Sequence, residues 1–260
     1  MSEAKEVQVP LGQHFKLSSE QKPKTKEEVR FMANIPYSNI VGSIMYCMIC
    51  TRPDLSHAIS VTSRYMSEPG KTHWEALKWI LRYMRKTSDF GILFEQTNES
   101  QKSVLIGYVD SDYAANVDTR KSQTSYIFTL HGAAMSWKSV LQSVVALSTT
   151  EAECMALTEA VKEALWLKGI LNEFGIRQES VEIRCDSQSA IHLVKHQVFH
   201  ERSKHIDVRY HFIRDVVAEE KVKVAKVGTE DNASDMLTKA LHSSKFLHCL
   251  DLVKVLNKQH

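Results

Sequence analysis

No run of apolar residues in this 260-residue chain approaches the roughly 18 needed to cross a bilayer, so no membrane-spanning helix is expected. Cysteine is scarce. The five present are odd in number and scattered, which argues against a disulfide framework and for a reducing compartment. With only 5 Pro and 9 Gly, collagen-like and low-complexity classes are excluded, and 43% hydrophobic with 25% charged residues is ordinary globular composition. Neither sign of charge dominates. Lys and Arg number 33 against 31 Asp and Glu, a net of +2, so any affinity for a polyanion must come from a local patch. The opening Met1-Ser2-Glu3-Ala4-Lys5-Glu6 lacks an apolar core, so no secretory signal is expected. These absences predict a soluble, intracellular, cytoplasmic protein of one large domain or two small ones.

Residues 1–35 are polar, rich in Lys and Glu and broken by Pro10 and Pro23, and read as an extended lead-in. From Tyr37 the apolar residues recur at helical spacing. Ile40, Ile44, Tyr46-Cys47 and Ile49-Cys50 form one run, ended by Pro53. A second helix covers Asp54–Met66, stopped by Pro69-Gly70, and a third runs from Thr72 to Lys86 with Trp74, Leu77, Ile80 and Tyr83 on its apolar side. This helical subdomain, 36–98, is small for independent folding and is expected to dock on the downstream half of the chain. After Ser88 the period changes to strands at Phe90–Phe94, Val104–Asp110, Ser125–Leu130 and Ala133–Leu141. An amphipathic helix from Thr149 to Phe174, closed by Gly175, comes next. A strand at Val181–Cys185, helices at Ser187–Lys195 and His205–Glu219, a strand at Val222–Val227 and a helix at Ser234–Leu241 complete the order. Three hairpin-linked strands followed by β-α-β crossovers predict an α/β fold over 99–243. Its core is a mixed five-stranded sheet with flanking helices, and 244–260 remain as a C-terminal tail.

Four carboxylates stand out. In Tyr108-Val109-Asp110-Ser111-Asp112, residues two apart on a strand share a face, so both acids can point at one site. The simpler reading ends the strand at Val109 and puts both in a turn. In the long helix, Ser148 and Glu151 fit a capping box, which gives Glu151 a structural task. Glu153 has none, and it shares a face with Ala156, Leu157, Ala160, Val161 and Ala164, where a carboxylate is costly unless a cation meets it. Glu159 and Glu163 fall on the opposite face and read as solvated charges. Asp186 comes after a strand and precedes a helix, at the end of an open sheet where ligand sites lie. An N-cap is its alternative role. Asp235 opens the last helix, where the dipole alone favours an acid. A cluster of four such carboxylates is tolerable only with cations. Oxygen donors select Mg²⁺ or Mn²⁺, and two such ions are a known machine for phosphodiester attack.

These residues resemble the ribonuclease H domain of copia-type LTR retrotransposon Pol polyproteins. The resemblance rests on Gly107-Tyr108-Val109-Asp110-Ser111-Asp112-Tyr113-Ala114, Ser148-Thr149-Thr150-Glu151-Ala152-Glu153-Cys154, Cys185-Asp186-Ser187-Gln188-Ser189-Ala190, Ser203-Lys204-His205-Ile206-Asp207 and Asp235-Met236-Leu237-Thr238-Lys239. It implies a ribonuclease H-like fold and catalytic, metal-holding Asp110, Glu153, Asp186 and Asp235, with Asp110 the strand acid in preference to Asp112. Upstream, Tyr37-Ser38-Asn39-Ile40-Val41-Gly42-Ser43, Thr51-Arg52-Pro53-Asp54 and Thr72-His73-Trp74 resemble the end of the reverse transcriptase in the same polyproteins. The polymerase palm and its apolar-Tyr-x-Asp-Asp hairpin are missing, so no polymerase activity is expected from this chain alone. The loop Gly228-Thr229-Glu230-Asp231-Asn232 lacks the histidine that many cellular relatives carry there. The resemblance implies an RNA–DNA hybrid substrate, two Mg²⁺ ions (or Mn²⁺), the polymerase domain as partner, no membrane, and virus-like particles or the nucleus as further locations.

Five of the twelve histidines, His192, His196, His200, His205 and His211, fall in a segment with Lys195, Arg202, Lys204, Arg209 and Arg214. Against Glu201, Asp207 and Asp215 this leaves an excess of two positive charges, read as a rim for phosphates, with a solvated helix face as the alternative. Arg120, Lys121, Ser122 and Thr124 form a second candidate for hybrid contact, which would position a duplex without reading sequence. Spacing would let His192, His196 and His200 share a helix face, but no zincin glutamate comes directly after the first. Cys47-Met48-Ile49-Cys50 lacks a second pair and reads as core thiols. The leading expectation is therefore an endonuclease cutting the RNA strand of hybrids. The alternative is a catalytically silent module that binds nucleic acid or docks a polymerase. A strand-transferring integrase expects two aspartates and a late glutamate, which is the wrong order for this chain.

Overall fold

A computed structural model of the protein describes residues 4–95, 104–195 and 207–257. Its first helix, α1 (Lys26–Ala33), starts where Thr25 accepts the Glu28 N–H at 3.2 Å and Glu28 reaches back to the Thr25 N–H. Helices α2 (Tyr37–Cys50), α3 (Ser56–Thr62) and α4 (Lys71–Lys86) come next, with α3 set between short 3-10 turns. Together with the 3-10 turn at Leu55 they bury Tyr37, Val41, Ile44, Ile59, Leu77, Ile80 and Tyr83, but of the apolar run expected in α2 only Ile44 is buried, and Tyr46, Ile49 and Cys50 face outward. A buried ionic knot ties the helices together. Asp54 accepts from Arg52 Nε at 3.0 Å, Arg52 Nη2 at 2.7 Å and the Tyr83 hydroxyl at 2.7 Å, while Arg52 Nη1 donates to the Thr87 carbonyl.

The expected extended lead-in over 1–35 is corrected. Besides holding α1, this segment contributes Val7, Leu11 and Leu17 to the helical core, and Trp79 Nε1 donates to the Val9 carbonyl at 2.9 Å. Asp118, far downstream, accepts from the backbone and hydroxyl of Ser19. Isolated apolar residues spaced too widely for any one period carry no sequence signal, yet each fills a hole in a core already built.

The sheet runs β4-β3-β2-β5-β6, from β2 (Leu105–Asp112), β3 (Gln123–Leu130), β4 (Ala133–Leu141), β5 (Val181–Cys185) and β6 (Val222–Lys226). The β2-β3-β4 meander is antiparallel, and β5 and β6 join in parallel after crossovers through α5 (Thr149–Glu173), α6 (Gln188–Lys195) and α7 (Asp207–Ala218). This is the expected ribonuclease H-like sheet. Alternation along β2 divides the core. Leu105 and Val109 pack with Leu157, Ala160, Val161 and Ala164 of α5, while Tyr108 faces the other side, with Ile127, and joins the helical core. At Gly107 a Cβ would sit 2.4 Å from the buried Phe128 ring, so only glycine fits. The expected boundary at 98/99 falls outside the described residues, but one hydrophobic cluster runs across it from Val7 to Val255.

Four further expectations change. The final helix over Ser234–Leu241 is a 3-10 turn, Ala233–Leu237. The tail 244–260 is α8 (Ser243–Leu252) and β7 (Val255–Asn257), which pairs antiparallel with β1 (Phe90–Ile92) outside the main sheet. Phe246, Cys249, Leu250 and Val253, at helical spacing, anchor it in the helical core. Glu163 is half-buried and accepts from the hydroxyls of Ser136 at 2.5 Å and Tyr126 at 3.1 Å, so it is a structural acceptor between α5 and the sheet. Cys50 is exposed and Cys47 half-buried, so this pair is not a core feature. Among the described residues no helix is long and apolar enough to cross a membrane.

Candidate active site

The strand β2 continues through Asp112, so Asp110 is a strand residue opposite Ser125 of β3, and the turn reading falls away. Asp235 reaches the same place from the 3-10 turn. Asn232 fixes that turn by accepting the Ser234 N–H and donating to the Val109 carbonyl at 2.9 Å. Asp186 arrives at the carboxyl end of β5, the neighbour of β2, and is half-buried. Ligand oxygens of Asp110, Asp186 and Asp235 lie within 4.8 Å of one another, and Asp186 also lies within 4.8 Å of Glu153 and the Cys185 thiol. The four predicted acids, from four separate elements, meet at one end of the sheet. Ser148 accepts the Glu151 N–H and Glu151 accepts the Leu147 N–H, which starts α5 one turn before Glu153 and sets Glu153 over the tip of β5.

Burial governs the electrostatics. Asp110 and Asp235 are each 1% exposed and Glu153 8%. Burial, then the charges of Asp110 and Asp186, raise the Glu153 carboxyl to about 9. Burial likewise raises Asp110 to about 6, against the pull of Lys239. Asp112, half-buried beside them, is raised by burial too and remains the outer acid of the strand. The Cys185 thiol is held neutral by burial and by Glu153.

Three partners escaped the sequence reading. Lys239 Nζ lies 3.0 Å from Asp110 Oδ1 and 3.1 Å from Asp235 Oδ1. Thr238 donates its hydroxyl to Asp110 Oδ2, and Lys245 of α8 pairs with Asp235 Oδ2. Although burial opposes it, the two carboxylates hold Lys239 well above the ordinary lysine range. The spacing of Asp235 and Lys239, four apart, was a signal for the first; nothing local announced Lys245. The loop without a histidine receives one from α8, where His248 Nε2 sits 2.9 Å from Asp231 Oδ1.

The expected nucleic-acid contacts separate. Arg120 is exposed, in a left-handed turn with φ 57°, and Lys121 is half-buried. Ser122 and Thr124 are corrected. Both are buried, with Ser122 accepting the Ala114 N–H and Thr124 accepting from the Gln142 amide, so neither faces solvent. Arg202, Lys204 and His205 lie outside the described residues, as do His196 and His200. Arg209 belongs to α7, and His192 is exposed on α6.

No protein-family model matches the chain. It is 52% identical over 253 residues, 97% of its length, to the retrovirus-related Pol polyprotein from transposon TNT 1-94 of Nicotiana tabacum. It is 37% identical over 247 residues, 95% of its length, to the corresponding polyprotein from transposon RE2 of Arabidopsis thaliana. The chain belongs to the copia-type retrotransposon Pol polyproteins. This Pol region spans 19% and 16% of those two relatives. Among solved structures, a foamy viral protease-reverse transcriptase in complex with dsDNA matches 80% of the Pol region and 42% of its own chain. The TM-score is 0.51 at 14% identity, a likeness of fold. An RNase H1 isolated from compost matches 52% of the Pol region and 92% of its own chain, with TM-score 0.41 and 18% identity.

Proposed function

We propose that this Pol region is the ribonuclease H part of a retrotransposon reverse transcriptase, hydrolysing the RNA strand of RNA–DNA hybrids with a divalent metal. The observation that carries the reading is the convergence of Asp110, Glu153, Asp186 and Asp235 from a strand, a helix, a strand end and a turn. Their chemistry fits such a metal. The donors are carboxylate oxygens, which suit Mg²⁺ or Mn²⁺, and a buried carboxyl raised as far as Glu153 is relieved by a cation. Asp110, Glu153, Asp186 and Asp235 would hold it, and when bound it supplies charge to acidify an attacking water and offset charge on the departing oxygen.

The protein's own groups set the stage for that chemistry. Asn232 and Thr238 fix the orientation of the turn and of Asp110. Lys239 keeps Asp110 and Asp235 together against their mutual repulsion. Exposed Arg120 is available to a phosphate, a contact that positions a duplex without reading its sequence. The polymerase part of the polyprotein is the partner in this reading.

A labelled RNA–DNA hybrid tests it, with wild type, Asp110→Asn and Asp186→Asn in Mg²⁺, Mn²⁺ or EDTA. Cleavage of the RNA strand by wild type with metal, lost in both variants, is expected. Cleavage that survives Asp186→Asn would sink the assignment. Salt-sensitive hybrid binding without any cleavage would favour a silent binding module.

A further inference from the structure

The cations already present in the site are unevenly shared among its acids. Every carboxylate oxygen of Asp110 and Asp235 has a donor from this chain. Lys239 Nζ bridges one oxygen of each at 3.0 and 3.1 Å, Thr238 takes the second oxygen of Asp110, and Lys245 takes the second of Asp235. Neither lysine is free to wander. Lys239 stands one helical turn after Asp235, and Lys245 is mostly buried and also donates to the Thr229 carbonyl at 2.8 Å. By contrast, among the described residues no salt bridge reaches Glu153 or Asp186. Lys239 acts on Glu153 only from beyond salt-bridge distance, and exposed Lys226 donates to the main-chain carbonyl of Asp186, where solvent screens its charge.

Occupancy then limits the metal. Both lysines already place their charge on oxygens of Asp110 and Asp235, and a second divalent ion between these two acids would have to displace Lys239 or sit against its ammonium, which low dielectric penalises. Asp186 is the residue shared by the two groups of mutually close ligands, so the unsatisfied acids lie on its side of the cluster.

We propose that this site takes a single divalent cation, on the Glu153–Asp186 side with Asp110, and that Lys239 fills the position between Asp110 and Asp235 in place of a second ion. This rests on reading the acids as a metal-dependent nuclease site; it changes the metal complement expected from the sequence and leaves Asp235 to the two lysines instead of among the ligands. Lys239 is a charge-balancing residue in this scheme. Its ammonium is a fixed cation whose occupancy does not depend on free metal.

The probe is Mn²⁺ alone, titrated into the full chain at pH 8, with stoichiometry from equilibrium dialysis and the metal environment from electron paramagnetic resonance. Wild type is expected to bind one Mn²⁺ with a mononuclear spectrum. Lys239→Met is expected to bind two with the broadening of a coupled pair, and Lys239→Arg, which keeps the charge, to bind one. Two Mn²⁺ in wild type would overturn the proposal without recourse to any variant, so poor folding of Lys239→Met cannot protect it. One Mn²⁺ in a folded Lys239→Met would overturn it as well. No Mn²⁺ bound by wild type would remove the metal reading and this inference together. One Mn²⁺ bound without hybrid cleavage would refute the nuclease reading while supporting the count.

Discussion

Metal uptake by this site should expel a proton, and the amount is set by Glu153. Its carboxyl is raised to about 9 by burial and by Asp110 and Asp186, so at pH 7.5 it is almost wholly protonated without metal. Asp110, raised to about 6, is mostly ionised at that pH. A divalent cation needs the ionised form, so binding at pH 7.5 should release about one proton. The apparent association constant should then rise about tenfold per pH unit between pH 7 and 9 and level off above. Titration calorimetry with Mn²⁺ in two buffers of different ionisation enthalpy measures the released proton directly. Glu153→Gln should abolish the release and weaken binding. The same shift predicts stability. Between the ordinary glutamate range and about pH 9 the folded chain holds a proton that the unfolded chain has lost. Unfolding free energy of the metal-free protein must therefore fall as pH rises, by up to about 1.4 kcal/mol per unit, and saturating metal should remove that slope. Tight Mn²⁺ binding at pH 7.5 with no proton released would refute the reasoning.

Two further predictions concern what holds the site in place. Asp54, fully buried and bonded to Arg52 and Tyr83, should cost about 3–5 kcal/mol when changed to Ala, because the Arg52 guanidinium is left buried and unpaired. Urea denaturation measures this, and a loss below about 1 kcal/mol would show that the knot is solvated. Truncation after Leu241 removes Phe246, Cys249, Leu250, Val253 and Val255 from the core, each worth about 1.5–3 kcal/mol by burial, together a large share of the roughly 5–15 kcal/mol that stabilises a domain. The shortened chain should lose its cooperative melt, and a thermal transition matching full length would show that α8 and β7 are dispensable.

The elements that build the candidate site were legible because their signals are local. The strand into Asp110, the start of α5 before Glu153 and the end of β5 at Asp186 are announced by period changes and caps within a few residues. Glu153 was legible through its surroundings, as an acid on an apolar helical face that must lie on the sheet. The segments misjudged at both ends failed for one shared reason. Val7, Leu11 and Leu17 are sparse, and α8 is short, so their burial is visible only once the helical core that receives them exists. Ser122 and Thr124 looked like contacts for a duplex because hydroxyls serve both surfaces and interiors. The direction of the β3 side chains, set by pairing with β2 and β4, sends Thr124 inward, and Ser122, just before β3, turns in to accept the Ala114 N–H.

Strand alternation, helix faces and strand ends are dictated by neighbours in the chain, and they were enough to single out the four candidate carboxylates and the sheet that displays them. How their charge is met depends on contacts between distant parts of the chain. Asp110 finds Thr238 and Lys239 across more than a hundred residues, and Asp235 finds Lys245 on a helix that local reading had left as a tail. Coulomb interactions act through space and grow as water is excluded, so the counter-ions of a buried acid are chosen by the fold.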